Sequence, residues 1–334
     1  MPRINKPGGQ GVSPMQLSFA ERVRAGRVVP VISDEALINM GVADYATMVK
    51  GYADQVVKYT MPDKDNLVKV AKFHQLHKSL SNNALKVDYL NWVKNYIYET
   101  AEAEGQDKAT LADVDEQFDT LSVSDFANRL AYPNLSGGVD NPLLVLADLP
   151  VRIYVTTSPY TFIEDALQAA GKSPCTDFCR WSKLLDGIDS TLEPGYKASA
   201  SEPLVYHLHG LDTYPDSLVL TEDDHLEFLV NVCQSQGASG DRVLPIVRQA
   251  FVDDLILLGF SLSGWAFRDL YAGLIKTSPR QEDRGVCALQ LAPTDEEKAY
   301  LQDYVRREAK FNVFWGTIAD YACEIQGIRQ TAVA

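Results

Sequence analysis

Three segments of this chain place small polar or basic side chains directly after a run of apolar residues. In the first segment, Ser158 follows the run Val-Arg-Ile-Tyr-Val-Thr-Thr. In the second, His209 precedes Gly210, and in the third, Gly259 and Ser261 follow Asp-Leu-Ile-Leu-Leu. Strands that stop in such residues and turn into helices form the ligand sites of open α/β sheets. We therefore expect the three strand ends to face one pocket.

The chemistry expected of these residues follows from their side chains. The imidazole of His209 titrates near neutrality, so it could accept a proton or orient a reacting group. The hydroxyls of Ser33, Thr156 and Thr157 could donate to phosphate or ribose oxygens. The competing interpretations are a hydrogen-bonded core histidine and ordinary strand-to-helix turns. His207, two residues from His209, is predicted to be structural.

Gly259 and Ser261 follow the most apolar of the predicted strands. A missing side chain and a small hydroxyl at this place would admit the ribose of an adenosine, and a plain turn is the alternative interpretation. Both interpretations require a strand that ends at residue 258 or 259.

Composition narrows the classes of partner. The 334 residues carry a formal net charge of -14, with 46% hydrophobic residues. Nucleic acid and anionic membranes are therefore not expected partners, because phosphate binding needs clustered Lys and Arg. No apolar run approaches the roughly 20 residues of a membrane span. The five scattered cysteines favour free thiols in a cytoplasmic protein.

The pattern along the chain predicts the elements that position these residues. From residue 36 to 132 apolar residues recur at helical spacing, and elsewhere short apolar runs alternate with helices. This predicts an α/β, Rossmann-like fold with a mostly parallel sheet, helices on both faces and a large all-helical insertion after the first strand. Pro30 suggests an edge position or irregular pairing for that first strand. Strands are expected at 27–33, 151–156, 175–181, 204–208, 254–259, 286–291 and 311–315.

The three motifs, in this order, resemble the prokaryotic sirtuin-like domains of bacterial antiphage defence systems. The resemblance implies a Rossmann-like sheet that binds NAD+ as its substrate and hydrolyses it to nicotinamide and ADP-ribose. It places His209 against the nicotinamide ribose as general base or orienter, and Ser158 at the position of a catalytic asparagine. It also implies Ser33, Thr156, Thr157, Gly259 and Ser261 as residues that bind NAD+.

On this resemblance the chain divides into four parts. Residues 1–15 are expected to be a flexible N-terminus, and residues 327–334 a tail. A Rossmann-like NAD-binding domain is expected from 16–35 and 136–326, with the helical insertion at 36–135.

The chain also departs from the family. The glycine-rich loop after the first strand is replaced by Pro-Val-Ile-Ser-Asp34-Glu35, where Asp34 is predicted to cap the next helix. Ser158 cannot reproduce the two-ended amide of asparagine. We therefore expect a slow NAD+ hydrolase or none, and a faster one after Ser158→Asn if the rest of the pocket is intact. The two Cys pairs of a structural zinc site are missing, so no metal is expected.

Three functional hypotheses remain open. The first is an NAD+ hydrolase that acts as an effector in antiphage defence. The second is a catalytically weak module that binds NAD+ or ADP-ribose, or that serves in assembly. The third, a protein deacylase, ranks last because the Cys pairs are missing. The resemblance and the aromatic-rich insertion predict a homo-oligomer, and a partner defence protein is a further possibility.

Overall fold

The sheet that carries the candidate residues is parallel throughout. The computed structural model describes residues 21–237, 240–276, 287–291, 298, 302 and 311–330. Seven strands pair in the order β3-β4-β2-β1-β5-β6-β7, which confirms the predicted α/β, Rossmann-like fold. The strands are β1 Val28–Ile32, β2 Ile153–Thr156, β3 Cys175–Phe178, β4 Leu204–His207, β5 Asp254–Leu258, β6 Cys287–Leu291 and β7 Phe311–Trp315.

β1 lies in the middle of the sheet, so of the two alternatives that Pro30 suggests the edge position is wrong and irregular pairing is what the structure has. Pro30 is paired with Ile256 of β5, whereas the pairing of β1 with β2 begins one residue later, at Val31 beside Val155. Proline lacks the N–H that a ladder bond requires. The pairing of β1 with β2 thus starts after the proline, and Pro30 is therefore tolerated in a central strand.

Twelve helices surround the sheet in the described part of the chain. Two of them, α2 and α11, continue into wider π-helical turns at Tyr52–Val57 and Tyr271–Ile275. The helices are α1 Asp34–Gly41, α2 Tyr45–Gly51, α3 Leu67–Lys78, α4 Asn82–Ala103, α5 Lys108–Glu116, α6 Val123–Arg129, α7 Pro142–Ala147, α8 Phe162–Ala169, α9 Glu222–Gln234, α10 Pro245–Ala250, α11 Trp265–Leu270 and α12 Ile318–Gln330.

The segment between β1 and β2 is helical, as predicted, and every residue of it is described. Its buried residues form one continuous core with one face of the sheet, together with α1, α7 and α8. The opposite face packs against α9, α10 and α11. Burial on both faces explains why the strands are apolar without alternation. The predicted N-terminus 1–15 and residues 331–334 of the predicted tail lie outside the described residues.

The insertion is tied to the strand ends by buried polar contacts. Ser124 at the start of α6 donates to Asp212 through its N–H and its hydroxyl, at 2.6 and 2.7 Å. The same hydroxyl accepts from the N–H of Thr161 at 3.0 Å. One serine therefore holds the segments that follow β2 and β4. Lys86 of α4 adds a second tie, since its Nζ lies 3.3 Å from Oδ1 of Asp224 on α9.

Among the described helices, none combines the length and the apolar character that a membrane crossing requires.

Candidate functional site

The candidate residues lie at the carboxyl edge of the sheet, where the strand order reverses. β2 lies on one side of β1 and β5 on the other, so the crevice between the two sides opens beside the end of β1. Open α/β sheets bind ligands at such a switch point. A cavity of about 890 Å³ lies here, between the start of α1 and the loop that follows β5.

The loop after β5, α11 and α1 all supply polar groups to this cavity. Gly259 and Ser261, both predicted as ligand contacts, line it, together with Glu35 and Arg268. The hydroxyls of Ser261 and Ser263 lie 3.0 Å apart. The cavity is large enough for a nucleotide.

Gly259 is required by the packing between β5 and α1. Its φ is +72°, and an added Cβ would lie 2.4 Å from Cβ of Ala36 and 2.7 Å from Oγ of Ser33. The Ser33 hydroxyl donates to the Gly259 carbonyl at 2.6 Å and accepts from the N–H of Ala36 at 3.1 Å. Ser33, not Asp34 as predicted, is therefore the N-cap of α1. Its hydroxyl joins β1 to β5.

The two threonines after β2 join that strand to β1. The Thr156 hydroxyl donates to the Ile32 carbonyl and accepts from the N–H of Ser158, both at 2.9 Å. Thr157 Oγ1 accepts from the N–H of Asp34 at 3.1 Å. The hydroxyls predicted to bind phosphate or ribose thus make contacts within the protein that fix the strand ends.

Ser158 is buried and donates its hydroxyl to Oδ1 of Asp34 at 2.7 Å. Asp34 is half-buried and is the first residue of α1. Burial raises the pKa of Asp34 to about 7, although the hydrogen bond from Ser158 opposes that rise. No motif or spacing in the sequence indicates that Ser158 and Asp34 are in contact. The parallel contact between β1 and β2 is what brings them together.

Two tyrosines complete the surroundings of this pair. The hydroxyls of Tyr89 on α4 and Tyr160 after β2 are buried and are hydrogen-bonding neighbours of each other, although the alignment falls short of a full hydrogen bond. Burial raises the pKa of Tyr160, and the neighbouring Tyr89 and Asp34 add to that rise. The insertion therefore contributes directly to the polar cluster around Asp34 and Ser158.

His209 belongs to a second buried cluster, on the other face of the sheet. Its Nε2 lies 3.2 Å from Oδ2 of Asp269, without the alignment of a hydrogen bond, and only 6% of the residue is exposed. Nδ1 of His225 lies 2.5 Å from the same oxygen. Phe228 and His225 both meet the His209 ring edge to face. Asp269 thus stands between two imidazoles that come from β4 and α9.

Two effects decide the protonation states in this second cluster: the burial of its residues and the contact between the imidazoles and Asp269. Burial lowers the pKa of His209 below its ordinary value, against the pull of the carboxylate. Burial alone would raise the pKa of Asp269, but the two imidazoles lower it. At neutral pH the cluster therefore holds an ionised Asp269 beside a neutral His209. A neutral imidazole is the form that can accept a proton.

His207 has the structural role that was predicted for it. Its Nε2 lies 2.8 Å from Oε1 of Glu164, and its Nδ1 lies 2.7 Å from the Ser158 carbonyl. Burial lowers the pKa of His207, but the Glu164 carboxylate outweighs it and leaves the pKa raised. β4 ends at His207, so strand alternation no longer applies to His209, which turns to the opposite face.

The three strand ends do not line one common cavity as expected. The end of β5 lines the 890 Å³ cavity, and neither Ser158 nor His209 is among its lining residues. The cavity and the His209 cluster are adjacent through α11: Phe267 and Arg268 line the cavity, and the next residue is Asp269. His225, Asp269 and Asp34 were missed because no spacing in the sequence links them to His209 or Ser158.

The second cluster is also the place where residue types suit a metal ion. Ligand atoms of His209, His225 and Asp269 lie within 4.8 Å of one another, and all three residues are buried. His225 Nδ1 and Asp269 Oδ2 lie 2.5 Å apart and are hydrogen-bonded directly to each other. The described geometry is thus that of a hydrogen-bonded group.

Comparison with known proteins supports the resemblance seen in the sequence. A search of curated proteins found no match. Residues 152–308 match the family model described as a SIR2-like domain, a segment that contains Ser158, His209, Gly259 and Ser261. This match supports a sirtuin-like family, with an NAD-related site, for the part of the chain that forms β2 to β6.

Proposed function

We propose that this chain is an NAD+ hydrolase that releases nicotinamide and ADP-ribose. One observation carries the proposal: within the SIR2-like segment, a neutral histidine at the end of β4 lies against an ionised aspartate. Such a pair can accept the proton of an attacking water. A cavity of nucleotide size lies one residue away along α11.

The adenosine and diphosphate of NAD+ would occupy that cavity. Gly259 lines the cavity, and the hydroxyls of Ser261 and Ser263 offer hydrogen bonds to the adenosine ribose. The guanidinium of Arg268, which is exposed at the cavity wall, is suited to a diphosphate. In this proposal Ser33, Thr156 and Thr157 act by fixing the strand ends against which the ligand lies.

The reaction balances with water as the second reactant. The water oxygen bonds to C1′ of the nicotinamide ribose while the bond from C1′ to the pyridinium nitrogen breaks. The electron pair of that bond goes to the nitrogen, and nicotinamide leaves as a neutral molecule. The proton lost by the water passes to Nδ1 of His209 and then to solvent, while Asp269, which lies against Nε2, stabilises the imidazolium that forms.

The test is release of nicotinamide from NAD+ in a timed assay of the whole chain. His209→Ala should lower the rate about 100-fold, the effect typical of losing a positioned acid–base group. His77→Ala is the matched control, because His77 is exposed on α3 and far from the strand ends along the chain. Equal rates for wild type and His209→Ala would remove His209 from the mechanism.

A catalytically weak NAD+ or ADP-ribose binding module is the second candidate. It is favoured by Ser158, whose hydroxyl is already engaged by Asp34 at 2.7 Å. Calorimetric binding of NAD+ without any release of nicotinamide, by wild type and Ser158 variants alike, would support this candidate over the hydrolase.

The resemblance of the three motifs supports two further proposals. We propose that the activity serves antiphage defence. We also propose that the chain works as a homo-oligomer, alone or with a partner defence protein. The single-chain mass is 37.0 kDa. Light scattering at micromolar concentration should return a multiple of this mass. The monomer mass across the whole range would contradict self-assembly.

A further inference from the structure

Asp34 is a carboxylate at the carboxyl edge of the sheet for which the proposed mechanism has no role. It begins α1 directly after Ser33, where the end of β1 meets the end of β2. Its N–H is held by Thr157 and its Oδ1 by Ser158. Among the described residues, no hydrogen-bond donor is directed at Oδ2. One carboxylate oxygen is thus fixed, and the other remains for a ligand.

Two buried tyrosines lie beside Asp34: Tyr160 has no exposed surface and Tyr89 is 3% exposed. Their hydroxyls are hydrogen-bonding neighbours of each other, although the alignment falls short of a full hydrogen bond. Buried polar groups that are incompletely paired cost stability. The surroundings of Asp34 are therefore polar and suit a ligand that carries hydroxyl groups.

We propose that Asp34, oriented by Ser158, binds the ribose whose bond to nicotinamide is broken, and that its charge stabilises this ribose in the transition state. The inference rests on the proposed hydrolase function and extends it to a residue outside the SIR2-like segment. Glycosidic bonds of this kind break through an oxocarbenium-like state with positive charge on the sugar. A carboxylate beside that sugar lowers the barrier, because its attraction grows as the charge moves onto the ring.

The proposal makes the ionised form of Asp34 the active one. With a pKa of about 7, the carboxylate is mostly protonated at pH 6 and mostly ionised at pH 8. The other titratable groups that face it are Glu35 on its own helix, Tyr45 on α2, Tyr89 on α4 and Tyr160. Burial raises the pKa of all three tyrosines, so they stay neutral over this range. Burial also raises the pKa of Glu35, which makes Glu35→Gln a necessary comparison.

The experiment compares binding of ADP-ribose with binding of ADP, which lacks the second ribose. Calorimetry at pH 8 should show that Asp34→Asn weakens ADP-ribose binding about tenfold and leaves ADP binding unchanged. Ser158→Ala should act in the same direction, and the double variant should be no worse than either single one, because the two residues act as a unit. The matched control is Asp107→Asn. Asp107 is the exposed N-cap of α5, and asparagine can also serve as an N-cap.

A second measurement uses the pH profile. Wild-type affinity for ADP-ribose should rise through about pH 7, Glu35→Gln should keep that rise, and Asp34→Asn should be flat. In single-turnover NAD+ cleavage, Asp34→Asn should be slower by about 100-fold, as when one preorganised electrostatic group is lost.

The outcomes separate this inference from the proposed function. If wild type binds ADP-ribose through Asp34 but releases no nicotinamide, the hydrolase proposal fails and the ribose subsite stands. If wild type does not bind ADP-ribose more tightly than ADP, or if Asp34→Asn and Ser158→Ala leave that difference unchanged in folded protein, the subsite is overturned.

Discussion

Oδ2 of Asp269 lies 3.2 Å from Nε2 of His209, although the two residues come from α11 and from the end of β4. The contact exists because β4 ends at His207, which frees His209 to turn towards the face that α9 and α11 cover. Asp269 is therefore a positioning residue for His209 in the proposed reaction. The first prediction concerns this pair.

Asp269→Asn should lower single-turnover NAD+ cleavage by about 100-fold or more, because the amide cannot stabilise the imidazolium formed during the reaction. The matched control is Asp241→Asn, which removes another partly buried ion-paired carboxylate, here bonded to Arg248. Binding of ADP should stay unchanged in both variants. A rate for Asp269→Asn within a factor of three of wild type, with the fold intact, would show that Asp269 has no part in catalysis.

Asp34 should make the protein less stable as the pH rises. Its folded pKa of about 7 exceeds the ordinary value of 3.8, so between these values the folded state binds more protons than the unfolded state. The free energy of unfolding contributed by this residue therefore falls as the pH rises through that window. Asp34→Asn removes the ionisable group and should raise the thermal midpoint at pH 8 by more than at pH 4.

Thermal unfolding of the two proteins at pH 4, 6 and 8 checks this. The same loss of stability with pH in wild type and Asp34→Asn would place the pKa of Asp34 near its ordinary value. A more stable but less active Asp34→Asn would fit a residue kept for function at the expense of stability.

Gly259→Ala should destabilise the protein more than a comparable change elsewhere. Gly259 and Gly171 both have positive φ, but a Cβ at Gly171 meets nothing within 4 Å, whereas at Gly259 it would lie 2.4 Å from Cβ of Ala36. Gly171→Ala should cost roughly 1 kcal/mol from backbone strain. Gly259→Ala should cost about 1–3 kcal/mol more from overpacking. Denaturant unfolding of both variants measures the difference, and equal costs would mean that α1 moves to accommodate the methyl group.

The sequence predicted the framework of the site better than its contacts. Apolar runs bounded by turns predict buried strands, and the seven-strand sheet confirms that interpretation. Helical periodicity likewise predicts the insertion. Pro30 suggests an edge strand or irregular pairing, and the structure has the irregular pairing, because β2 begins to pair with β1 one residue after the proline.

The partners of His209 and Ser158 could not be predicted from the sequence, for a physical reason. His225, Asp269 and Asp34 each lie on a helix whose rotation and docking decide which side chain faces the sheet edge. Periodicity indicates which face of a helix is apolar, but not which polar residue at its end meets which strand. Only the packed structure relates Asp34 to Ser158 and Asp269 to His209.

The last prediction concerns Ser158→Asn, which the sequence alone suggests would speed the reaction. Ser158 Oγ already lies 2.7 Å from Oδ1 of Asp34. In the same rotamer, asparagine places a carbon where that oxygen lies and an amide group beyond it, inside the contact distance of the carboxylate. Ser158→Asn alone should therefore lower the thermal midpoint and should not raise the rate of NAD+ cleavage. Asp34→Ala alone should also be slow, because the charge is lost.

The double variant Ser158→Asn with Asp34→Ala removes the clash and gives the amide its space. Its donor and acceptor can then contact ribose and water at fixed spacing, so we expect single-turnover NAD+ cleavage faster than that of Asp34→Ala but slower than that of wild type, because the charge of Asp34 is still missing. Each single variant with binding checked by calorimetry is the control. If Ser158→Asn alone is faster than wild type, then Asp34 moves aside and does not restrict residue 158. If the double variant binds NAD+ but stays as slow as Asp34→Ala, the charge of Asp34 matters more than the geometry at residue 158.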